Sequence, residues 1–172
     1  MAVELARHHG INQSDAAQAG LMHDLAKYFK PDRLLALACD AGCSIDPVDE
    51  ATPHLLHADV SALVAQQDFG IKNPAILDAI ANHTLGRPAM GPLSCIVFLA
   101  DSLEPGRGHT QPLNTLRSLC YQDLSTAVYK VCDATLNHLI KQGRPIHPRA
   151  VSTRNWFLTA SRQRLGGRPQ PV

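Results

Sequence analysis

Aromatic residues make up only 5% of the 172-residue chain. Long strands favour aromatic and β-branched side chains, whereas the abundant Ala and Leu favour helix, so composition points to an all-α fold. An excess of charge of one sign is also missing: 16 Lys and Arg face 15 Asp and Glu, for a formal charge of +1. That balance leaves no broad electropositive surface to hold nucleic acid unless charges segregate onto one face, so none is expected as a partner. No apolar run reaches the roughly 20 residues that span a bilayer, and the start, MAVELARHHG, carries Glu4 where a secretory signal would be apolar. A soluble, cytoplasmic protein without a membrane partner is expected. The five cysteines, Cys39, Cys43, Cys95, Cys120 and Cys132, are odd in number and form no C-x-x-C pair, which argues against a disulfide framework or a zinc-thiolate site. They read as buried free thiols of a helical core.

The punctuation of the chain is regular. Residues 2–9 (AVELARHH) read as the last turns of a helix whose beginning lies upstream of Met1, because no cap residue precedes the apolar pattern. Gly10 ends it, Asn12 or Ser14 caps the next, and the helical pattern then runs toward Lys30. Pro31 opens a short helix over 32–41, Gly42 to Pro53 reads as a polar connection, and a helix carrying His54 and His57 continues to near Gly70. Asn73 and Pro74 start another that ends near His83. A loop with Gly86, Pro88, Gly91 and Pro92 precedes the buried helix LSCIVFLADSL, and EPGRGHTQP breaks it. A short helix over Asn114 to Tyr121, a long one capped by Asp123 through Ile140, and a last one from Pro148 to about Arg162 complete the reading. Residues 1–163 are expected to form a single domain, with 164–172, including GGRPQPV, as a disordered tail.

Acids and histidines interrupt these apolar patterns. His23 and Asp24 are adjacent in AGLMHDLAK, where an ionised aspartate needs a partner. Lys27, one turn on, can supply it as an ordinary helical ion pair. His57, His83 and Asp101, the last at the end of CIVFLAD, each have a bland reading as a hydrogen-bonded helical group. Together they suit a different one. Imidazoles and carboxylates on separate helices can converge in a bundle core, and a mixed nitrogen and oxygen set suits iron, manganese or another first-row metal better than calcium.

The segments AGLMHDLAK (19–27), LLHADVSA (55–62), AIANHTLGRPAM (79–90), FLADSLEPGR (98–107) and IHPRAVSTRNWFL (146–158) carry a resemblance in order and spacing over nearly the whole chain. The chain resembles the HD-domain phosphohydrolases and, within them, the symmetrical bis(5'-nucleosyl)-tetraphosphatases, which hydrolyse diadenosine tetraphosphate. The resemblance implies an HD-type helical bundle lacking the start of its first helix. It also implies two metal ions, divalent or mixed-valence, with iron favoured and manganese or cobalt as alternatives. Asp24 would bridge the metals, His23 and Asp101 would hold the first, and His57 and His83 the second. Family members have a further first-metal histidine about two turns before the position of Met1, and His8 and His9 do not align with it. Either the natural product begins upstream, which the mid-helix start favours, or one metal is held weakly and activity is lost.

Thr84, Gly86 and Arg87, directly after His83, would let backbone amides and a guanidinium approach a phosphate, where the bland reading is a helix-ending turn. Arg107 would clasp a second phosphate, and Lys27 would face the phosphates and join Asp24 in catalysis. Glu104 would hold Arg87, Arg107 or a ribose hydroxyl, or form a surface pair. The implied reaction is in-line attack of hydroxide on phosphorus, giving two ADP without a covalent enzyme intermediate. A nucleotide is the expected partner, and homodimer formation stays open. The alternatives are another HD-type nucleotide phosphohydrolase and a nucleotide-binding module inactive for want of one histidine.

Overall fold

The computed structural model describes residues 1–164, and the expected tail over 164–172 lies almost wholly outside them. Ten α-helices and no strand occur among the described residues: α1 (Ala2–His8), α2 (Gln13–Met22), α3 (Pro31–Asp40), α4 (Pro47–Ala51), α5 (His57–Gln67), α6 (Pro74–Ala81), α7 (Pro92–Leu103), α8 (Gln111–Gln122), α9 (Leu124–Lys141) and α10 (Pro148–Arg164). Their starts follow cap chemistry. Asn12, Asn73, Thr110 and Asp123 accept hydrogen bonds from first-turn backbone amides of α2, α6, α8 and α9. Proline occupies the first turn of α3, α4, α6, α7 and α8, where its missing N–H costs nothing.

Helix α7 forms the centre. Leu93, Cys95, Ile96, Val97, Phe98, Leu99 and Leu103 are all buried, and α1, α2, α6, α8 and α9 pack around it. The core they share also takes Leu5, Ile76, Ile80, Val128 and Phe157. A second, smaller core of Ala26, Leu34, Ala38, Leu56 and Val60 seats α3 beside the start of α5. All five cysteines are free, with Cys95, Cys120 and Cys132 buried, Cys43 partly covered and Cys39 exposed. No helix among the described residues is long and apolar enough to cross a membrane.

Three segments depart from the sequence expectation, the first being Pro53–Leu56, which carries His54 in a 3₁₀ turn ahead of α5 and not in one helix with His57. Helix α2 stops at Met22 instead of running toward Lys30, and residues 23–29 form consecutive turns. The backbone tightens to three-residue bonds, Leu25 N to Met22 O, Lys27 N to Asp24 O and Phe29 N to Ala26 O, while the Ala26 amide donates to Ser61 Oγ on α5 at 3.0 Å. A tertiary partner thus takes an amide that would have continued the helix. The polar connection between Gly42 and Pro53 contains α4, closed by a capping box in which Asp46 and Asp49 each accept from the other's end of the turn.

Candidate active site

His23 sits at the C-cap of α2, His57 opens α5, and His83 lies in the turn that follows α6. In all three rings Nδ1 lies against the carbonyl oxygen three residues back: Gly20 at 2.7 Å, His54 at 2.6 Å and Ile80 at 2.8 Å. A carbonyl only accepts, so the neutral ring carries its proton on Nδ1 and presents a lone pair on Nε2. These Nε2 atoms face one carboxylate. Asp24 Oδ1 is 3.3 Å from His57 and 3.5 Å from His83, and Oδ2 is 3.4 Å from His23. His23 Nε2 is also 3.7 Å from Asp101 Oδ1 on α7. Lys27 Nζ donates to Asp24 Oδ2 at 2.5 Å.

The Nε2 atoms of His57 and His83 stand 3.0 Å apart, with Thr84 Oγ1 at 3.4 Å and 3.0 Å from them. Two lone pairs at that separation repel unless a proton or a metal ion lies against them. Asp24 Oδ1, buried in the same place, has no hydrogen-bond partner. An orphaned carboxylate oxygen facing several imidazole Nε2 atoms is the donor chemistry of a first-row metal site, so the residues fit a metal. His23, Asp24 and His83 offer ligand atoms that all lie within 4.8 Å of one another.

The titration behaviour follows the same contacts. Burial pushes the Asp24 carboxyl up, but His83, Lys27 and His23 outweigh it and hold it far below the usual carboxylate range. Asp101 raises His23, and His23 with the neighbouring cations lowers Asp101 against its own burial. Desolvation lowers His57, which favours the neutral, ligand-competent imidazole.

A cleft of about 620 Å³ opens beside these groups, lined by His23, Asp24, Lys27, Asp101, Glu104 and Arg107 along with apolar residues of α1, α2 and α7. Arg107 reaches Asp101 Oδ1 at 3.3 Å and Glu104 Oε1 at 3.5 Å, so of the expected partners of Glu104 the structure selects Arg107. Arg87 is placed elsewhere: its Nη2 lies 2.8 Å from Asp78 Oδ2 on α6, on the surface. Gly86 has φ +63 and backs onto α10, where an added Cβ would stand 2.6 Å from Thr153 Cγ2. Its freedom serves packing. His8 and His9 point away, to the carbonyls of Tyr121 and Cys120, each at 2.7 Å.

The converging side chains of His23, Asp24, His57, His83 and Asp101 all lie within residues 1–106, the stretch that matches the HD domain family. The chain belongs to the HD-domain family. Two curated proteins named symmetrical bis(5'-nucleosyl)-tetraphosphatase are similar over most of their length. The one from Bacillus subtilis is 32% identical, over 93% of this chain and 85% of its own. The one from Halalkalibacterium halodurans is 33% identical, over 91% and 83%. A crystal structure of a predicted HD superfamily hydrolase involved in NAD metabolism from Clostridium acetobutylicum superposes with a TM-score of 0.87 at 30% identity, covering 92% of this chain and 84% of that one. The HD dipeptide is thus His23-Asp24, at the point where α2 gives way to turns.

Sequence reasoning missed the groups behind this HD centre. Arg149, near the start of α10, pairs with Asp59, and His147 Nε2 lies 3.1 Å from Asp49 Oδ2. Asp59, an acid among apolar neighbours in LLHADVSA, was a legible signal that a partner was needed. Nothing local in IHPRAVSTRNWFL names Arg149 as that partner.

Proposed function

We propose that the protein is a metal-dependent hydrolase of dinucleoside polyphosphates that cleaves diadenosine tetraphosphate symmetrically into two ADP. The observation that carries this reading is the convergence of the His23, His57 and His83 Nε2 atoms on the single carboxylate of Asp24. The substrate follows the named activity of the relatives from Bacillus subtilis and Halalkalibacterium halodurans. In this reading His23, Asp24 and Asp101 would hold one metal, and Asp24, His57 and His83 would hold a second, with iron the first candidate and manganese or cobalt the others. When bound, such ions supply Lewis-acid charge and lower the pKa of water to about 7.

The side chains do the positioning. Lys27, held on Asp24 Oδ2, fixes that carboxylate's rotamer while its half-exposed ammonium faces phosphate oxygens entering the cleft. Arg107 bridges Asp101 and Glu104 at the cleft wall and offers its remaining N–H groups to a second phosphate. Thr84 Oγ1, beside the Nε2 atoms of His57 and His83 at 3.4 and 3.0 Å, adds a hydroxyl to the buried end. Arg87 reaches a phosphate only by leaving Asp78, a surface pair worth under about 1 kcal/mol, which a polyphosphate can outcompete. Negative charge on the oxygens of the attacked phosphoryl group and of the leaving ADP would be met by the Lys27 and Arg107 cations, with no protein nucleophile required.

The test is product analysis of iron-loaded protein given diadenosine tetraphosphate, with nucleotides separated by anion exchange. ADP as the sole product is expected. ATP with AMP would show asymmetrical cleavage, and bound but intact substrate would replace the hydrolase reading with a binding module.

A further inference from the structure

His57 and His83 come from different helices, and their useful property is the 3.0 Å separation of their Nε2 atoms. Something has to hold the start of α5 against the end of α6. Arg149 spans that junction: Nη1 donates to both oxygens of Asp59, at 3.2 and 3.1 Å, and Nη2 donates to the carbonyl of Ala81 at 3.2 Å. Asp59 lies two residues after His57 in the first turn of α5, and Ala81, the last residue of α6, lies two residues before His83. The chemistry suits both ends. An acid stabilises a helix N-terminus, and a guanidinium satisfies one of the orphan carbonyls at a helix C-terminus. One turn further along α10, the Thr153 hydroxyl shares its single proton between Arg149 O at 2.8 Å and Leu85 O at 3.0 Å. Arg149 Nε is buried without a hydrogen-bond partner, so Nη1 and Nη2 make all of this guanidinium's hydrogen bonds.

We propose that Arg149 is a positioning residue that sets the spacing of His57 and His83 for metal binding, acting through Asp59 and the Ala81 carbonyl. This rests on the metal-site reading given above. Groups that hydrogen-bond a ligand directly change metal affinity by about 10- to 100-fold when removed, and Arg149, one step further out, should act at or below the low end of that range.

The test uses the whole chain and cobalt(II), read by its visible absorption during titration against a competing chelator. His57→Ala first identifies the absorption band that belongs to the His57 and His83 side. If His57→Ala binds cobalt as the parent does, the site reading itself fails and the clamp with it. If it removes a band, Arg149→Ala is expected to weaken that band's affinity up to about 10-fold and alter its spectrum, with far-UV circular dichroism unchanged. Arg149→Lys should recover only part of the affinity, since a lysine is a point charge that cannot bridge a carboxylate and a carbonyl with a planar fork. Unchanged affinity in Arg149→Ala, equal weakening of all cobalt, or full recovery by lysine would each overturn the two-sided bridge. Should Arg149→Ala not fold, Asp59→Asn is read the same way, and parental affinity in that variant overturns the proposal.

Discussion

Asp24 meets four nitrogens, those of His23, Lys27, His57 and His83, with its two oxygens. No second carboxylate among the described residues is placed to substitute for it, since Asp101 reaches only the His23 side. Asp24→Ala is therefore expected to lose bound metal and to slow hydrolysis by more than about 10³-fold, beyond the loss of one charge-stabilising group. Metal analysis by mass spectrometry alongside turnover checks it, and parental metal content would sink the assignment. Arg87→Ala has a different signature. Its surface pair with Asp78 contributes under about 1 kcal/mol to stability, so the melting temperature and metal content should stay put. If Arg87 swings to a phosphate in the complex, KM should rise about tenfold, the scale of one charge-assisted hydrogen bond. An unchanged KM would leave Arg107 as the phosphate-facing arginine.

At the scale of elements, the turn after α6 is held by α10 through close packing. Gly86 has φ +63, and a Cβ there would come within 2.6 Å of Thr153 Cγ2. Gly86→Ala should cost about 2–3 kcal/mol, from left-handed strain and overpacking together. Adding Thr153→Ser removes the clashing methyl and should recover the packing part while leaving the backbone strain, a coupling that urea denaturation of the two single variants and the double variant would measure. Additive losses would mean that the two residues do not touch. The same scale shows where local patterns failed. The apolar spacing of α2 continues through Leu25 and Ala26, but the amide of Ala26 goes to Ser61 of α5, and helix gives way to turns at the HD dipeptide. Cap and proline signals, which act within one turn, placed the starts of α2, α3, α6 and α9 where they occur.

For the whole molecule, the buried thiols link stability to pH. Burial raises Cys120 and Cys132 to about 12, whereas an unfolded thiol ionises near about 8.5. A folded pKa above the unfolded one means that the contribution is fully present below about pH 8.5 and is lost as pH rises toward 12. By pH 10 each thiol should cost roughly 1–2 kcal/mol. Thermal melts of the metal-free protein from pH 7 to 10 should fall accordingly, and Cys120→Ala with Cys132→Ala should flatten the slope. A slope unaffected by both changes would show that other groups drive it.

Helical class, capped helix starts and free thiols were legible in the sequence, because each rests on composition or on spacing within a turn or two, whereas the ligand set of His23, Asp24, His57, His83 and Asp101 came from the family resemblance. The residues themselves announced only a need, since an acid in an apolar pattern demands a partner wherever the chain folds. Which partner it receives was a matter for tertiary structure. Arg87 turned to Asp78, Glu104 turned to Arg107, and Arg149 joined Asp59 across 90 residues and Ala81 across 68. Contacts of that separation depend on how α5, α6 and α10 pack, and packing is a property of the assembled core that no local window of sequence contains.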